Sequence, residues 1–262
     1  MVTDRANYSK EQGTIHSDVQ VSFSKGRMTG SGTSVDYNEN SDVLTIGEQA
    51  RVVTVDEQGS TTLDFSAGRA VLDRLQDLLT MDAGVHVLRA NQVMDADRSV
   101  ARLSPNEEFI TFIELRGNAR VEGGGGTLDA MSARDIDLDY ADDGVQLERV
   151  ALAGNAGVTL TGTGGSAGRQ LTGESLDVRL AADGTVTSAV GRENVKMFLP
   201  ASATSPARGV RGRTLDANGA PGQGLTSARF TEDVEYSEEA TQRRRSAWFG
   251  RDAWISACPV MP

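Results

Sequence analysis

The stretch LRGNARVEG at residues 115–123 is followed by LAGNAGVTL at residues 152–160. In both segments one residue separates a Leu from the Gly-Asn-Ala triplet that follows it, and a Val stands two residues after the Ala. Similar segments recur along the chain, and the Ala or Val of each marks one beat of a repeat: Val19, Ala50, Val85, Ala119, Ala156, Val195 and Val234. The steps between beats are 31, 35, 34, 37, 39 and 39 residues. A slowly drifting period of this length indicates a repeat architecture.

Between the beats, apolar and polar residues alternate, as at Ile136, Leu138 and Tyr140. A period of two places such residues on one face of a sheet. Turn-forming clusters such as the Asp-Gly pairs at 143–144 and 183–184 separate the alternating stretches. Asp and Gly tolerate the positive φ angles of tight hairpins, so these clusters predict short connections between strands.

Two repeat folds fit this pattern, a right-handed β-helix and an antiparallel roll. A β-helix stacks short parallel coils, and steps of 31–39 residues would require an insertion in every coil. Tight hairpins join only antiparallel neighbours. The sequence therefore predicts an all-β fold, an antiparallel β-jelly roll or open twisted β-barrel built from repeats of about 35 residues.

The segment AGRAVLDRLQDLLTM at residues 67–81 fits the repeat less clearly. Its apolar residues have the spacing of an amphipathic helix when the segment is considered alone. Its position in the repeat predicts a strand, a turn at residues 73–77 and a second strand.

The composition excludes several classes of protein. The formal net charge of −11 disfavours nucleic acid as a partner, because phosphates are bound by basic surfaces. No stretch of about 18 apolar residues is present, so the sequence predicts no membrane span. Cys258 is the single cysteine, which excludes an intrachain disulfide.

The order of Gly-Asn-Ala segments, turns and alternating stretches in residues 115–160 resembles the OstA-like modules of lipopolysaccharide export, the LptA and LptC proteins of the Gram-negative periplasm. The resemblance covers roughly residues 15–238. It implies an open-ended β-jelly roll whose interior holds the acyl chains of lipopolysaccharide or a related glycolipid. It also implies a periplasmic location, no cofactor, and end-to-end stacking with other jelly rolls of this type through edge strands.

The chain departs from that family in three respects. The sequence from Met1 predicts neither the signal peptide nor the membrane anchor of that family, it is longer than one module, and its last 24 residues leave the pattern. We therefore expect a β-repeat array over residues 1–238, with room for two consecutive modules, and a tail of unassigned structure over residues 239–262.

The predicted lipid-binding residues are the apolar members of the alternating runs, which would line the interior. They are Val19, Val21, Phe23, Val52, Val85, Val87, Val121, Ile136, Leu138, Tyr140, Val158, Leu160, Leu176, Val178 and Leu180.

No catalytic or metal-binding residues are predicted. The GGSAG segment at 164–168 matches the Gly-x-Ser-x-Gly pattern of hydrolases, but His16 and His86 both precede Ser166 and no helical pattern follows it. Two other classes stay open. One is a structural or carbohydrate-facing β-solenoid, such as a scaffold or adhesin. The other is an enzyme on a β-helix, which would require a cluster of charged residues that the sequence does not provide.

Overall fold

The computed structural model describes residues 2–89, 92–105, 109–162, 168–202, 205–240 and 243–256. These residues form strands and connecting turns, and none of them lies in a helix. The predicted all-β class is therefore confirmed. The chain divides into two compact units, Met1–Ala119 with Asp142–Gly144, and Arg120–Ala141 with Val145–Pro262.

The described residues contain eighteen strands. They are β1 (Val2–Thr3), β2 (Asn7–Ser9), β3 (Thr14–Ser17), β4 (Val21–Lys25), β5 (Met28–Asn38), β6 (Val43–Val55), β7 (Thr61–Ala67), β8 (Arg69–Asp73), β9 (Leu78–Arg89), β10 (Gln92–Leu103), β11 (Ile110–Gly125), β12 (Leu128–Tyr140), β13 (Leu147–Leu160), β14 (Gln170–Leu180), β15 (Val186–Leu199), β16 (Arg208–Ala220), β17 (Gly224–Ala240) and β18 (Arg243–Ser256).

Strands pair antiparallel within each unit. The pairing follows chain order in the second unit, whereas in the first unit β3 and β4 both pair with β5, and β7 and β8 both lie between β6 and β9. In the second unit β13 lies between β12 and β14, and β15, β16, β17 and β18 follow in order. In the first unit β5 pairs with β6, and β9 pairs with β10. This hairpin order is the antiparallel jelly-roll architecture that the turns predicted.

The repeated Gly-Asn-Ala segment is a β-bulge. On β13, residues 154–156 lie opposite only residues 133–134 of β12, because Ala153 pairs with Asp135 and Gly157 pairs with Ser132. Gly154 and Asn155 have φ angles of 81° and 54°, the left-handed region that Gly and Asn adopt most readily. The extra residue bends the strand and strengthens its twist.

The same bulge marks the other beats. The φ angles are positive at both residues before the beat for Val85, Ala119, Ala156, Val195 and Val234, and at the one residue before Ala50. The register shifts of β6, β9, β15 and β17 fall at these positions. The repeat is therefore a hairpin of one bulged strand and one regular strand.

The first beat differs from the others in form. Val19 lies in the connection between β3 and β4 and is not in a strand. Residues 18–20 lie opposite residues 33–34 of β5, because Ser17 pairs with Val35 and Val21 pairs with Gly32. Three residues therefore lie opposite two here, as at the other beats, but the extra residue interrupts the strand.

The structure confirms the strand-turn-strand prediction for residues 67–81. β8 ends at Asp73, β9 begins at Leu78, and the two pair antiparallel. β8 also pairs with β6. These two pairings give the apolar residues of the segment neighbours on a sheet, and tertiary contacts override the helical spacing.

In the second unit, two turns that lie at opposite ends of the strands meet. The turn between β11 and β12 contains Thr127, and the turn between β14 and β15 contains Gly184. The Thr127 amide donates to the Gly184 carbonyl at 3.0 Å. Consecutive turns of an antiparallel sheet lie at opposite ends of its strands, so this contact requires the sheet to roll until the two strand ends meet.

Residues 243–256 form a strand, β18, inside the segment whose structure the sequence left unassigned. β18 pairs with β17 from Ala240↔Arg243 to Ser227↔Ser256. It extends the hairpin order by one strand, so the repeat continues beyond the last beat at Val234.

Candidate lipid-binding interior

The inner face of the second unit consists of apolar rows that run across the strands. Leu138 lies opposite Val150, and Val150 lies opposite Val178. The row continues through Ala189, Ala217 and Ala228, so its side chains become smaller toward the last strands. A neighbouring row joins Ile136, Leu152, Leu176, Gly191, Leu215 and Phe230.

These rows are tightly packed. Ile136 and Leu138 have no exposed side-chain surface, and Phe230 is equally buried. A Cβ at Gly191 would lie 2.9 Å from Val195 Cγ1 and 3.2 Å from Leu176 Cδ2, so glycine is needed where two larger side chains converge. The chain's own side chains therefore occupy the interior at these positions.

The first unit has an equivalent row. Val52 lies opposite Gly30 and Phe65, and Val87 lies opposite Phe65 and Met94. Phe23 lies at the start of the row, opposite Gly30. A Cβ at Gly30 would overlap the Phe23 ring, so the ring occupies the space that the missing side chain leaves.

The predicted lining residues are mostly buried in their own unit. Twelve of the fifteen are buried: Val21, Val52, Val85, Val87, Val121, Ile136, Leu138, Tyr140, Val158, Leu176, Val178 and Leu180. Val19, Phe23 and Leu160 are partly exposed. The rows bring Leu138 next to Val178 across β13, and Phe23 next to Val52 across Gly30.

Sequence reasoning missed several equally buried residues. Met94 and Leu115 have no exposed surface, and Phe65 is 5% exposed. Val150 and Leu152 complete the central rows of the second unit. A period of two surrounds Phe65, Met94 and Val150, in the segments DFSAG, VMDA and LERVALAG, and this is the signal that could have found them.

The buried set is uniformly uncharged. Among the described residues, Ser17, Ser99, Ser104 and Thr185 are the only buried polar side chains, and no charged side chain is buried. On the outer face, Arg149 donates from Nε to Asp177 at 2.9 Å and from Nη1 to Asp139 at 3.4 Å. The hydrogen bond to Asp177 raises the pKa of Arg149 above its usual value.

One row of the outer face places a serine, a histidine and an aspartate side by side. Ser66 lies opposite His86, and His86 lies opposite Asp95. His86 Nδ1 and Asp95 Oδ1 are 2.7 Å apart. No hydrogen bond joins Ser66 to His86 in the described part of the chain, so the row lacks the contact by which a triad activates its nucleophile.

The remaining sequence candidates give no further site. Residues 163–167, which include Ser166, lie outside the described residues. Within the described residues, no group of three or more His, Cys, Asp or Glu is placed to hold a metal ion. The same residues include no helix with the length and hydrophobicity to cross a bilayer.

Comparison with known proteins gave no relative. No family model matches the chain, and neither a curated protein nor a solved structure matches it.

Proposed function

We propose that this chain is a non-enzymatic glycolipid-binding protein of the periplasm, which shields the acyl chains of lipopolysaccharide or a related glycolipid inside its β-roll. The observation that carries this proposal is the chemistry of the interior. Each unit has its own apolar rows. Among the described residues, none of those classed as buried is charged. An acyl chain placed there would meet mainly apolar side chains, and the four buried polar side chains, Ser17, Ser99, Ser104 and Thr185, are uncharged.

A guest must compete with the side chains that fill the roll. Leu138 and its neighbours are fully buried, so an acyl chain enters only if the turns at Thr127 and Gly184 separate and the roll opens. The contact at Thr127 consists of a few hydrogen bonds, each with a net value of about 1 kcal/mol. Burial of an acyl chain contributes about 0.8 kcal/mol per methylene. A chain of about twelve carbons therefore exceeds the cost of breaking these bonds several-fold.

The proposed transport role needs partners at the ends of the array. β18 is paired on one edge, with β17. An exposed strand edge is a template for another strand. We propose that jelly rolls of the same type stack on this edge and continue the sheet from one molecule to the next.

Displacement of an environment-sensitive naphthylamine dye tests the lipid-binding proposal. Dye bound to the full chain should be released by lipid A and retained when the same headgroup is added without its acyl chains. Leu138→Asp should abolish dye uptake, because it places an unpaired carboxylate in the apolar row. A protein that takes up no dye, or releases it equally to both competitors, contradicts the proposal.

The burial of twelve of the fifteen predicted lining residues favours a second candidate function, a structural β-scaffold with a closed core. A scaffold would take up no dye and would show equal thermal stability with and without lipid A. Lipid A that binds the folded state raises the Tm by mass action, so thermal melts distinguish the two functions.

A further inference from the structure

The outer face of the first unit carries a cleft of about 500 Å³ over β4, β5 and β6. Its lining combines the apolar side chains of Val2, Phe23 and Val53 with Gly30, Arg51 and the hydroxyls of Ser22, Ser24, Thr29 and Ser31. A volume of this size lies within the usual range for small-ligand sites. All of these residues belong to the first unit.

The strand register explains the depression. Ser22 lies opposite Ser31, and Ser31 lies opposite Arg51. Ser24 and Thr29 form the neighbouring row with Val53. Rows of Ser and Thr are short beside Arg51 and Val53, so the sheet surface is lower over β4 and β5 than over β6.

The cleft offers hydrogen-bonding groups that the protein does not use. No described residue forms a hydrogen bond with the side-chain hydroxyls of Ser22, Ser24, Thr29 or Ser31. Each hydroxyl is both a donor and an acceptor. Neighbouring strands are about 4.8 Å apart, close to the width of a pyranose ring, so the hydroxyls of adjacent strands can contact adjacent sugar hydroxyls.

Charge in the cleft is balanced. Arg51 donates from Nη2 to Asp64 at 2.8 Å and from Nε to Asp64 at 3.1 Å. This bidentate pair neutralises the guanidinium but leaves Nη1 as a donor. The chain carries a net charge of −11, which disfavours an anionic ligand.

The row that contains Arg51 stays polar beyond the cleft. Arg51 lies opposite Ser66, and the row continues through His86 to Asp95. A ligand longer than one ring would therefore continue over hydrogen-bonding groups. Unpartnered hydroxyls, a balanced charge and a continuing polar row together match an uncharged, polyhydroxylated chain.

We propose that this cleft binds a neutral saccharide. The hydroxyls of Ser22, Ser31 and Thr29 exchange hydrogen bonds with sugar hydroxyls, and the Arg51–Asp64 pair supplies a fixed donor and acceptor beside them. The hydroxyls and Arg51 lie on the outer face, and the cleft shares only Phe23 and Gly30 with the inner row of the first unit.

An array of microbial glycans, followed by calorimetry with the best neutral oligosaccharide retained, tests the proposal on the full chain. Ser31→Val replaces the hydroxyl with methyl groups on a side chain that suits a strand, and Arg51→Gln removes the fixed donor. We expect each change to weaken saccharide binding at least tenfold. Arg98→Gln is the matched control, because Arg98 makes an exposed outer-face pair with Asp82 at 2.8 Å, outside the cleft. Its affinity should stay within twofold of the unchanged protein.

Three results would overturn the proposal. The first is retention of no neutral glycan on the array. The second is binding confined to sulfated or phosphorylated glycans or to inorganic phosphate. The third is saccharide binding that Ser31→Val and Arg51→Gln leave unchanged. The dye displacement by lipid A should be the same in both cleft variants as in the unchanged chain, so the saccharide and lipid proposals fail or succeed separately.

Discussion

The backbone amide of Val186 donates to the side-chain oxygen of Thr127 at 2.9 Å, across 59 residues of sequence. Thr127 Oγ1 in turn lies 3.4 Å from the Gly184 carbonyl, to which it donates. Gly126 and Gly184 both have positive φ angles, and a Cβ at Gly126 would overlap the Gly184 backbone. The Thr127 hydroxyl therefore links the two turns by hydrogen bonds, and the two glycines allow the turns to approach closely.

Thr127→Val should destabilise the second unit, because the new side chain has nearly the same shape but no hydrogen-bonding group. The buried amide of Val186 loses its partner, which costs about 1–3 kcal/mol. Urea unfolding measures this cost. Thr187→Val is the control, since the Thr187 hydroxyl makes an exposed 3.4 Å bond to the Arg179 carbonyl. A loss of equal size in both variants would show that the contact between the two turns contributes nothing specific.

Substitutions at the bulges should be tolerated only where the new residue can adopt a left-handed backbone conformation. Asn155 has a φ angle of 54° and an exposed side chain. Asn155→Val should cost roughly 1–2 kcal/mol, because a β-branched side chain is strained in this region. Asn155→Gly should be neutral within a few tenths of a kcal/mol. Urea midpoints compare the two variants, and equal midpoints would contradict the assigned backbone conformation.

Leu138 and Asp137 test the register of β12. Leu138 has no exposed surface, whereas Asp137 is partly exposed. Leu138→Asp should cost several kcal/mol or leave the chain unfolded, because the carboxylate has no partner in the apolar row. Asp137→Asn should change the free energy of unfolding by less than about 1 kcal/mol. Circular dichroism and urea unfolding provide the measurement, and similar behaviour of both variants would mean that the faces are reversed.

The repeat itself could be predicted from the sequence because a local constraint produces it. Gly154 and Asn155 occupy left-handed positions, and this requirement leaves a visible motif at each bulge. The same reasoning placed Ile136 and Leu138 on one buried face, since a strand alternates its side chains regardless of its neighbours.

Other features left no local signal. The bond between Thr127 and Val186 joins residues 59 positions apart, and its register depends on the twist of all the strands between them. The cleft over β4 to β6 depends on which short side chains lie opposite each other, as Ser22 and Ser31 do. β18 was missed because its segment has a different composition, although it pairs with β17 through the backbone.

The Arg51–Asp64 pair should make a small contribution to stability that depends on pH. The hydrogen bond from Arg51 holds the pKa of Asp64 below its usual value. A carboxyl whose pKa is lower in the folded state stabilises the fold above its unfolded pKa of about 3.9, and the contribution is lost as pH falls through the lowered value. The Arg51 side chain is 59% exposed, so solvent screening limits the effect to about 1 kcal/mol or less.

Urea midpoints at pH 5, 4 and 3 measure this contribution. Arg51→Gln should remove part of the stability at pH 5 and lose less on acidification than the unchanged protein. If the two proteins lose stability in parallel from pH 5 to pH 3, the pair makes no contribution through Asp64. Arg98→Gln is again the comparison at an exposed site outside the cleft.

The last strand should govern association. β18 is paired with β17 on one side, and it is the last strand in the described part of the chain. In the first unit, β1 covers only Ser22 and Val21 of β4, and β2 is three residues long. An edge of one molecule that adds to a different edge of the next makes a head-to-tail contact, which does not close on itself.

Light scattering over a concentration series should therefore give a mass that rises continuously for the full chain. A chain truncated after Glu239 loses β18 and presents β17 as its last strand. Because β17 carries the same bulged register as the other beat strands, this shortened chain should also associate, with a different concentration dependence. A closed dimer, or a monomer at every concentration in both proteins, would contradict stacking through strand edges and leave the lipid-binding interior to be judged by dye displacement alone.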